Sequence, residues 1–241
     1  MTANQAVPEG MDFPLEGVRV LDLSRVFAGP LCGQVLADFG ADVVKVEHPG
    51  RGDDTRDWGM RIGKTETTYY NSMNRNKRSV TLDLQSAEGV QIIYDLLPQF
   101  DVVIHNFKHG GADKLGLGYE KLKSIKPDLI YCSVAGYNSD TPEAKRPGYD
   151  LVIQAEAGLM AINGEEGTPP LKFGVAVVDL MTGMYANKEV KEILADKAVQ
   201  ERILGAGAIA NFMPAQQLQD SLAKDYAKWS KVVKDKGMVA E

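Results

Sequence analysis

Cysteine is scarce in this chain: Cys32 and Cys132 are the only two in 241 residues. Two cannot build the disulfide framework of a small secreted domain or a cysteine-rich zinc site, so both read as small buried apolar residues. Positive charge is not in excess either. The formal net charge is -6, which argues against a broad nucleic-acid footprint. No apolar run is long enough to cross a bilayer. The opening residues, MTANQAVPEGMDFPLEG, lack the basic and apolar regions of a signal peptide. The expectation is a cytoplasmic protein with no membrane or nucleic-acid partner. Two nucleotide fingerprints are also missing: neither G-x-G-x-x-G nor a P-loop follows the first strand. No internal repeat or low-complexity segment is present.

What is present suits a globular domain. Apolar residues make up 44% and charged residues 25%, enough for a sizeable core under an ordinary surface. Residues 1–13 read as a loose leader containing Pro8 and Gly10. VRVLDLS (Val18 to Ser24) is a short apolar strand, followed by a helix pattern ending at Gly40, and ADVVKVEHPG (Ala41 to Gly50) is a second strand. This strand–helix–strand unit predicts a parallel, right-handed pair. Residues 51–76 are polar and irregular, as functional or mobile connections are.

Beyond them come strands KRSVTLDL (Lys77 to Leu84), DVVIHNF (Asp101 to Phe107) and DLIYCSVAGY (Asp128 to Tyr137). Helix patterns at Ser86 to Phe100 and Gly118 to Pro127 separate them, and a further one spans Gly148 to Gly164. The alternation predicts an α/β fold: a doubly wound, mostly parallel sheet with helices on both faces over residues 14–186. After Ala186 the sequence becomes charged with narrow apolar stripes, predicting a helical tail over 187–241.

In such sheets ligands sit outside the carboxyl ends of the strands. The segments there are Ser24 to Pro30, His48-Pro49-Gly50 and Asn106 to Gly111. Glycines allow close backbone approach, and a helix starting near Pro30 would aim free N–H groups at an anion. Arg25, His48, Lys108, His109 and Lys114 would add positive charge. Taken singly, each feature better suits a turn or a solvated surface residue. The segment LKFGVAVVDLMTGMYA (Leu171 to Ala186) carries one carboxylate, Asp179, among apolar and small residues from Phe173 onward. A carboxylate so placed is paired, hydrogen-bonded, capping a helix or at work in a site.

Together LEGVRVLDLSRVFAGPLCGQVLADFGADVVKVEHPGRGDDTR, NRNKRSVTLDL, DVVIHNF, KLGLGYEKL, PDLIYCSVAGY, GYDLVIQAEAGLM and VAVVDLMTGMYA closely resemble the class III CoA-transferases, also called the CaiB/BaiF or formyl-CoA transferase family. The resemblance runs unbroken over about residues 14–186. It implies that Asp179 is the nucleophile attacking an acyl-CoA thioester, and that a small carboxylic acid then takes over the CoA. It implies no metal. Arg25, Val26, Phe27, Ala28, His48, Leu82, Gln85, Asn106, Phe107 and Lys114 would contact coenzyme A. Tyr149 and Asp150 would lie near the acyl group.

Four departures qualify this. Gln85 stands where a Lys is common, and His48 where some members have Arg, so a phosphate contact could be weaker. The racemase branch has a His where this chain has Tyr149, which ranks CoA transfer above racemisation. Family chains also continue far beyond this length, with a second domain and a glycine-rich loop over the site, and they form interlocked homodimers. The expectation is therefore an impaired enzyme, or a CoA-binding domain without turnover, with apolar surface exposed. The tail, ending in YAKWSKVVKDKGM, weakly resembles the end of the periplasmic tricarboxylate-binding (Bug) proteins, which would make the chain a fusion.

Overall fold

The computed structural model describes residues 13–196. In chain order these form β1 (Arg19–Asp22), α1 (Ala28–Asp38), β2 (Asp42–Glu47), β3 (Arg61–Ile62), β4 (Glu66–Thr67), α2 (Thr68–Asn74), β5 (Lys77–Thr81), α3 (Ala87–Leu96), β6 (Val102–His105), α4 (Gly111–Lys114), α5 (Tyr119–Ile125), β7 (Ile130–Ser133), α6 (Asp150–Glu156) and α7 (Val177–Leu194). Five strands form one sheet in the order β5-β2-β1-β6-β7, and every pairing in it is parallel. The chain works outward from β1 through β2 to β5, then crosses back to place β6 on the other side of β1. The topological switch point thus lies between β1 and β6, where such sheets open a crevice.

Both faces of the sheet are covered. Val20, Val43, Val102, Ile104 and Ile130 pack with Cys32 and Leu36 of α1 and with Val190 and Leu194 of α7. Their neighbours Leu21, Val46 and Val103 pack on the opposite face with Ile93 of α3, Leu122 of α5 and Leu117 just before it. Covered on both sides, the strands read as continuous apolar runs rather than alternating ones.

Several expected elements differ in extent. The helix expected over 148–164 is shorter: α6 ends at Glu156, because Gly158 turns the chain with φ +76°. Residues 51–76 hold a small antiparallel hairpin, β3–β4, and α2. These elements are too short for a periodic sequence signal. Glu47, at the end of β2, anchors this excursion. It accepts from Arg56 at 2.6 and 2.7 Å, Ser79 at 2.6 Å, Tyr70 at 2.9 Å and the Asp53 amide at 2.9 Å. Burial by itself would raise the Glu47 carboxyl; the donors, Arg56 first, outweigh it and hold it at about 2.

The change of character after Ala186 falls inside a helix. α7 runs unbroken to Leu194, and Asn187, Val190 and Leu194 are buried. The tail expected beyond Asp196, like the leader at residues 1–12, lies outside the described residues. Among the described helices, α7 and α1 pack together more extensively than any other pair. The contact is close because position 183 has no side chain: a Cβ there would lie 2.7 Å from the Ala28 carbonyl oxygen and 3.0 Å from Leu31 Cβ. Gly183→Ala is therefore expected to push the helices apart and destabilise the fold by about 1–3 kcal/mol, read as a lower urea midpoint. No described helix is long and apolar enough to cross a membrane.

Candidate active site

The turn leaving β1 and the residue leaving β6 meet at the switch point. Arg25 N donates to Asn106 Oδ1 at 2.9 Å, and Asn106 Nδ2 donates back to the Arg25 carbonyl at 2.6 Å. The Asn106 side chain is thus a clamp on the turn. Val26 follows with φ 74°. For a β-branched residue that conformation costs about 1–3 kcal/mol and persists only where surroundings enforce it. Phe27 and Ala28 are buried and start α1. No side chain caps this helix and no acid sits in its first turn, so its N-terminus faces the crevice with free amides.

Asp179 lies in the first turn of α7, one turn before Gly183 and on the same face, which carries it toward the start of α1. Its carboxylate is half-buried and takes no hydrogen bond among the described residues. Burial, with the Asp150 charge adding to it, pushes its pKa up to about 6. The capping role open to Asp179 on sequence grounds belongs instead to Asp150. Asp150 Oδ1 accepts from Val178 N at 2.8 Å and Asp179 N at 3.3 Å, and so caps α7 from α6. Gln154, buried, orients Asp150 by donating to its Oδ2 at 2.6 Å.

Two aromatic residues of the 51–76 excursion complete this wall, and sequence reasoning missed both. Tyr69 packs edge-on against Phe27 at 6.0 Å and Trp58 at 5.7 Å between ring centroids. Burial raises the Tyr69 hydroxyl pKa, and the nearby Asp179 and Asp150 charges raise it further. Its only sequence signal was a pair of tyrosines in a polar stretch without periodicity.

The remaining sequence candidates fall in a second place or stand apart. Gln85 and Lys114, both exposed, line one open cavity of about 470 Å³ with Ser86, Val90, Tyr94 and Gly116. Leu82 is half-buried and packs against the α3 side of the core. Phe107 stacks on His105 at 5.2 Å. Arg25 is exposed and 3.5 Å from Asp54. His48 is exposed at the end of β2, its carbonyl accepting from Gly52 N at 2.9 Å. Tyr149 is 67% exposed and is not drawn into the Asp179–Asp150 group by any hydrogen bond.

Fold and site together define a doubly wound α/β domain in which a carboxylate with no hydrogen bond among the described residues lies on the helix packed against the uncapped start of α1. The chain belongs to CoA-transferase family III, whose family model matches residues 15–220. Over 173 residues it is 50% identical to succinyl-CoA:glutarate CoA-transferase of Homo sapiens, covering 72% of this chain and 40% of that protein. It is 46% identical over 187 residues to succinate--glutarate CoA-transferase of Agrobacterium fabrum, covering 75% and 47%. A CAIB/BAIF family protein from Brucella suis matches in structure with a TM-score of 0.74 at 42% identity, covering 88% of this chain and 58% of that one. The chain thus spans less than half the length of these two curated relatives.

Proposed function

We propose that this chain carries the nucleophile and the coenzyme-binding half of a CoA-transferase that moves CoA from an acyl-CoA to a small carboxylic acid. The observation that carries the proposal is Asp179: a half-buried carboxylate, free of hydrogen bonds among the described residues, on the helix packed against the start of α1. An Asp with a pKa near 6 is mostly ionised at neutral pH, and partial removal from water leaves its oxygen less solvated and more reactive.

In the proposed cycle a carboxylate oxygen of Asp179 attacks the acyl carbonyl. A C–O bond forms, the C–S bond breaks and CoA leaves as thiolate. The thiolate then attacks the aspartyl carbonyl carbon of the mixed anhydride, releasing the donor acid and leaving an aspartyl-CoA thioester. The acceptor carboxylate reverses both steps: it displaces the thiolate, which attacks the acceptor's acyl carbon and frees Asp179. The uncapped start of α1 and the backbone of residues 25–28 receive the CoA. Gln85 and Lys114 suit its phosphate-rich end, with His48, Leu82, Asn106 and Phe107 along the same rim. Tyr149 and Asp150 flank the acyl group.

The names of the two relatives above make succinyl-CoA the proposed donor and glutarate the proposed acceptor. A cytoplasmic setting, which keeps Cys32 and Cys132 as thiols, belongs to the same proposal. So does a homodimer. Leu151, Leu180, Met181, Met184 and Tyr185 are all exposed on α6 and α7, an apolar surface that supports burial against a second copy.

The test is to incubate the protein with succinyl-CoA and then hydroxylamine. A hydroxamate at Asp179, located by peptide mass spectrometry, is the expected result. Binding of CoA with no Asp179 adduct would leave a CoA-binding domain without turnover.

A further inference from the structure

Four ionisable side chains are buried under the turn that leaves β1, none of them part of the proposed chemistry. Asp22 and Lys45 are fully buried, Asp53 is 1% exposed and the Lys77 side chain 2%. Burying charge is expensive unless it is paired and put to use. All four hold backbone: Asp22 Oδ1 accepts from Ser24 N at 2.9 Å and Lys77 Nζ donates to the Pro30 carbonyl at 2.7 Å, while Lys45 and Asp53 bear on the turn from Ser24 to Val26. Lys45 Nζ donates to the Ser24 carbonyl at 2.9 Å and is paired with Asp53 Oδ2 at 2.9 Å. Both Asp53 oxygens lie within reach of the Val26 amide, at 3.3 and 3.4 Å. Thr55 fixes Asp53 in turn, donating from its amide at 2.9 Å and its hydroxyl at 2.7 Å.

With the Asn106 clamp, the backbone groups from the Ser24 carbonyl to the Val26 amide are therefore held by side chains from strand β2 and from the loops after β2 and β6. Among the described residues, the Val26 amide is engaged only by Asp53.

We propose that Asp53, braced by Lys45 and Thr55, is a positioning residue that holds Val26 in its left-handed conformation and so fixes the backbone of residues 25–28 for coenzyme A. The proposal rests on the CoA-transferase reading above, because it takes CoA as the molecule this turn receives. Asp53 acts through Val26 and touches neither CoA nor the reacting atoms. Release of Val26 would let its φ return to negative values, turning the neighbouring peptide groups and misplacing the start of α1 relative to the ligand.

The experiment uses the full chain and two readouts: calorimetric titration with CoA, and trypsin cleavage after Arg25. In Asp53→Asn, the Kd for CoA is expected to rise about tenfold or more, in line with the sensitivity of positioned groups to small displacements. Cleavage after Arg25 should accelerate under conditions that protect the parent protein. Adding Val26→Gly to Asp53→Asn should recover several-fold in affinity, because glycine adopts positive φ without penalty. A purely structural role for Asp53 would not be rescued at position 26. Thr55→Val, which removes one brace and leaves the Lys45 pair intact, should move both readouts the same way by less, and it serves if Asp53→Asn does not fold.

A folded Asp53→Asn protein with unchanged Kd and unchanged protection overturns the proposal, as does a weakened Kd that Val26→Gly leaves where it is. If the parent protein binds no CoA while Asp53→Asn exposes Arg25 to trypsin, the CoA reading fails and the hold on the turn stands. If cleavage is also unchanged, both fail.

Discussion

Asp179→Asn is expected to abolish acyl transfer to the protein and at the same time to make the protein more stable at neutral pH. Replacing the carboxylate by an amide removes the oxygen proposed to form the anhydride. The rate of hydroxamate formation from succinyl-CoA should fall by at least about 10³-fold, as for other covalent nucleophiles. CoA binding should persist, because the turn after β1 is untouched.

The stability effect follows from the direction of the pKa shift. Burial and the Asp150 charge lift Asp179 from an ordinary 3.8 to about 6, so the folded state binds this proton more tightly than the unfolded chain. Stability from this group is therefore greatest below pH 4. It falls as pH rises through the interval from 4 to 6, then stays low above it. Asparagine has no proton to lose and removes this slope. After allowance for solvent screening at a half-exposed site, the variant should gain about 1 kcal/mol at pH 7 and nothing at pH 4. Urea unfolding of both proteins at the two pH values checks the prediction. An equal gain at both would assign the effect to something other than the carboxylate's charge. In the parent protein, adduct formation should decline as pH drops below about 6, where the nucleophile protonates.

Lys77→Met is expected to be among the most damaging substitutions away from Asp179. The ammonium group of Lys77 has three protons and three acceptors: Asp22 Oδ2 at 2.8 Å, the Pro30 carbonyl at 2.7 Å and Asn74 Oδ1 at 3.1 Å. It ties the edge strand β5 to β1, to α1 and to α2. Burial favours the neutral form of Asp22, but the charges of Lys77 and Lys45 overcome it and keep its pKa below the ordinary value. Methionine fills the space and leaves Asp22 buried beside a single remaining cation. Breaking such a pair costs about 3–5 kcal/mol, a large part of an ordinary domain's stability.

Asp22→Asn/Lys77→Met should recover part of the loss, because no uncompensated carboxylate then remains. Denaturant midpoints of the parent, the single and the double variant measure this directly. A double variant no better than the single would show that Lys77 matters for packing rather than for charge. Because Asp22 titrates below its ordinary value, the stability held by the pair is present above that value and fades as pH falls below it.

The parallel strands and the helices between them were legible because their signals are local. VRVLD and DVVIH are runs of branched apolar residues that only a sheet covered on both faces can bury. α1 and α3 carry apolar residues at helical spacing, and Ser86 announces the start of α3, where its hydroxyl accepts from Gly89 N at 3.0 Å. Asp179 stood out for an equally local reason, a single charge in an apolar segment.

What the sequence did not disclose depends on residues distant along the chain. Asn106 clamps a turn 81 positions earlier, Asp150 caps a helix 28 positions later, and Lys45 looks like an ordinary strand cation until its partner Asp53 is folded beneath it. Tyr69 joins the site only because Glu47 anchors the excursion that carries it. α7 continues through the apparent break at Asn187, because Val190 and Leu194 find core partners on α1 and the sheet. By itself the sequence determined the chain order of the sheet's strands and main helices and singled out Asp179 as the lone charge in its segment. Tertiary structure decided which charges could be buried and which turn they hold. A buried charge is tolerable only beside its partners, and chain closure alone brings those together.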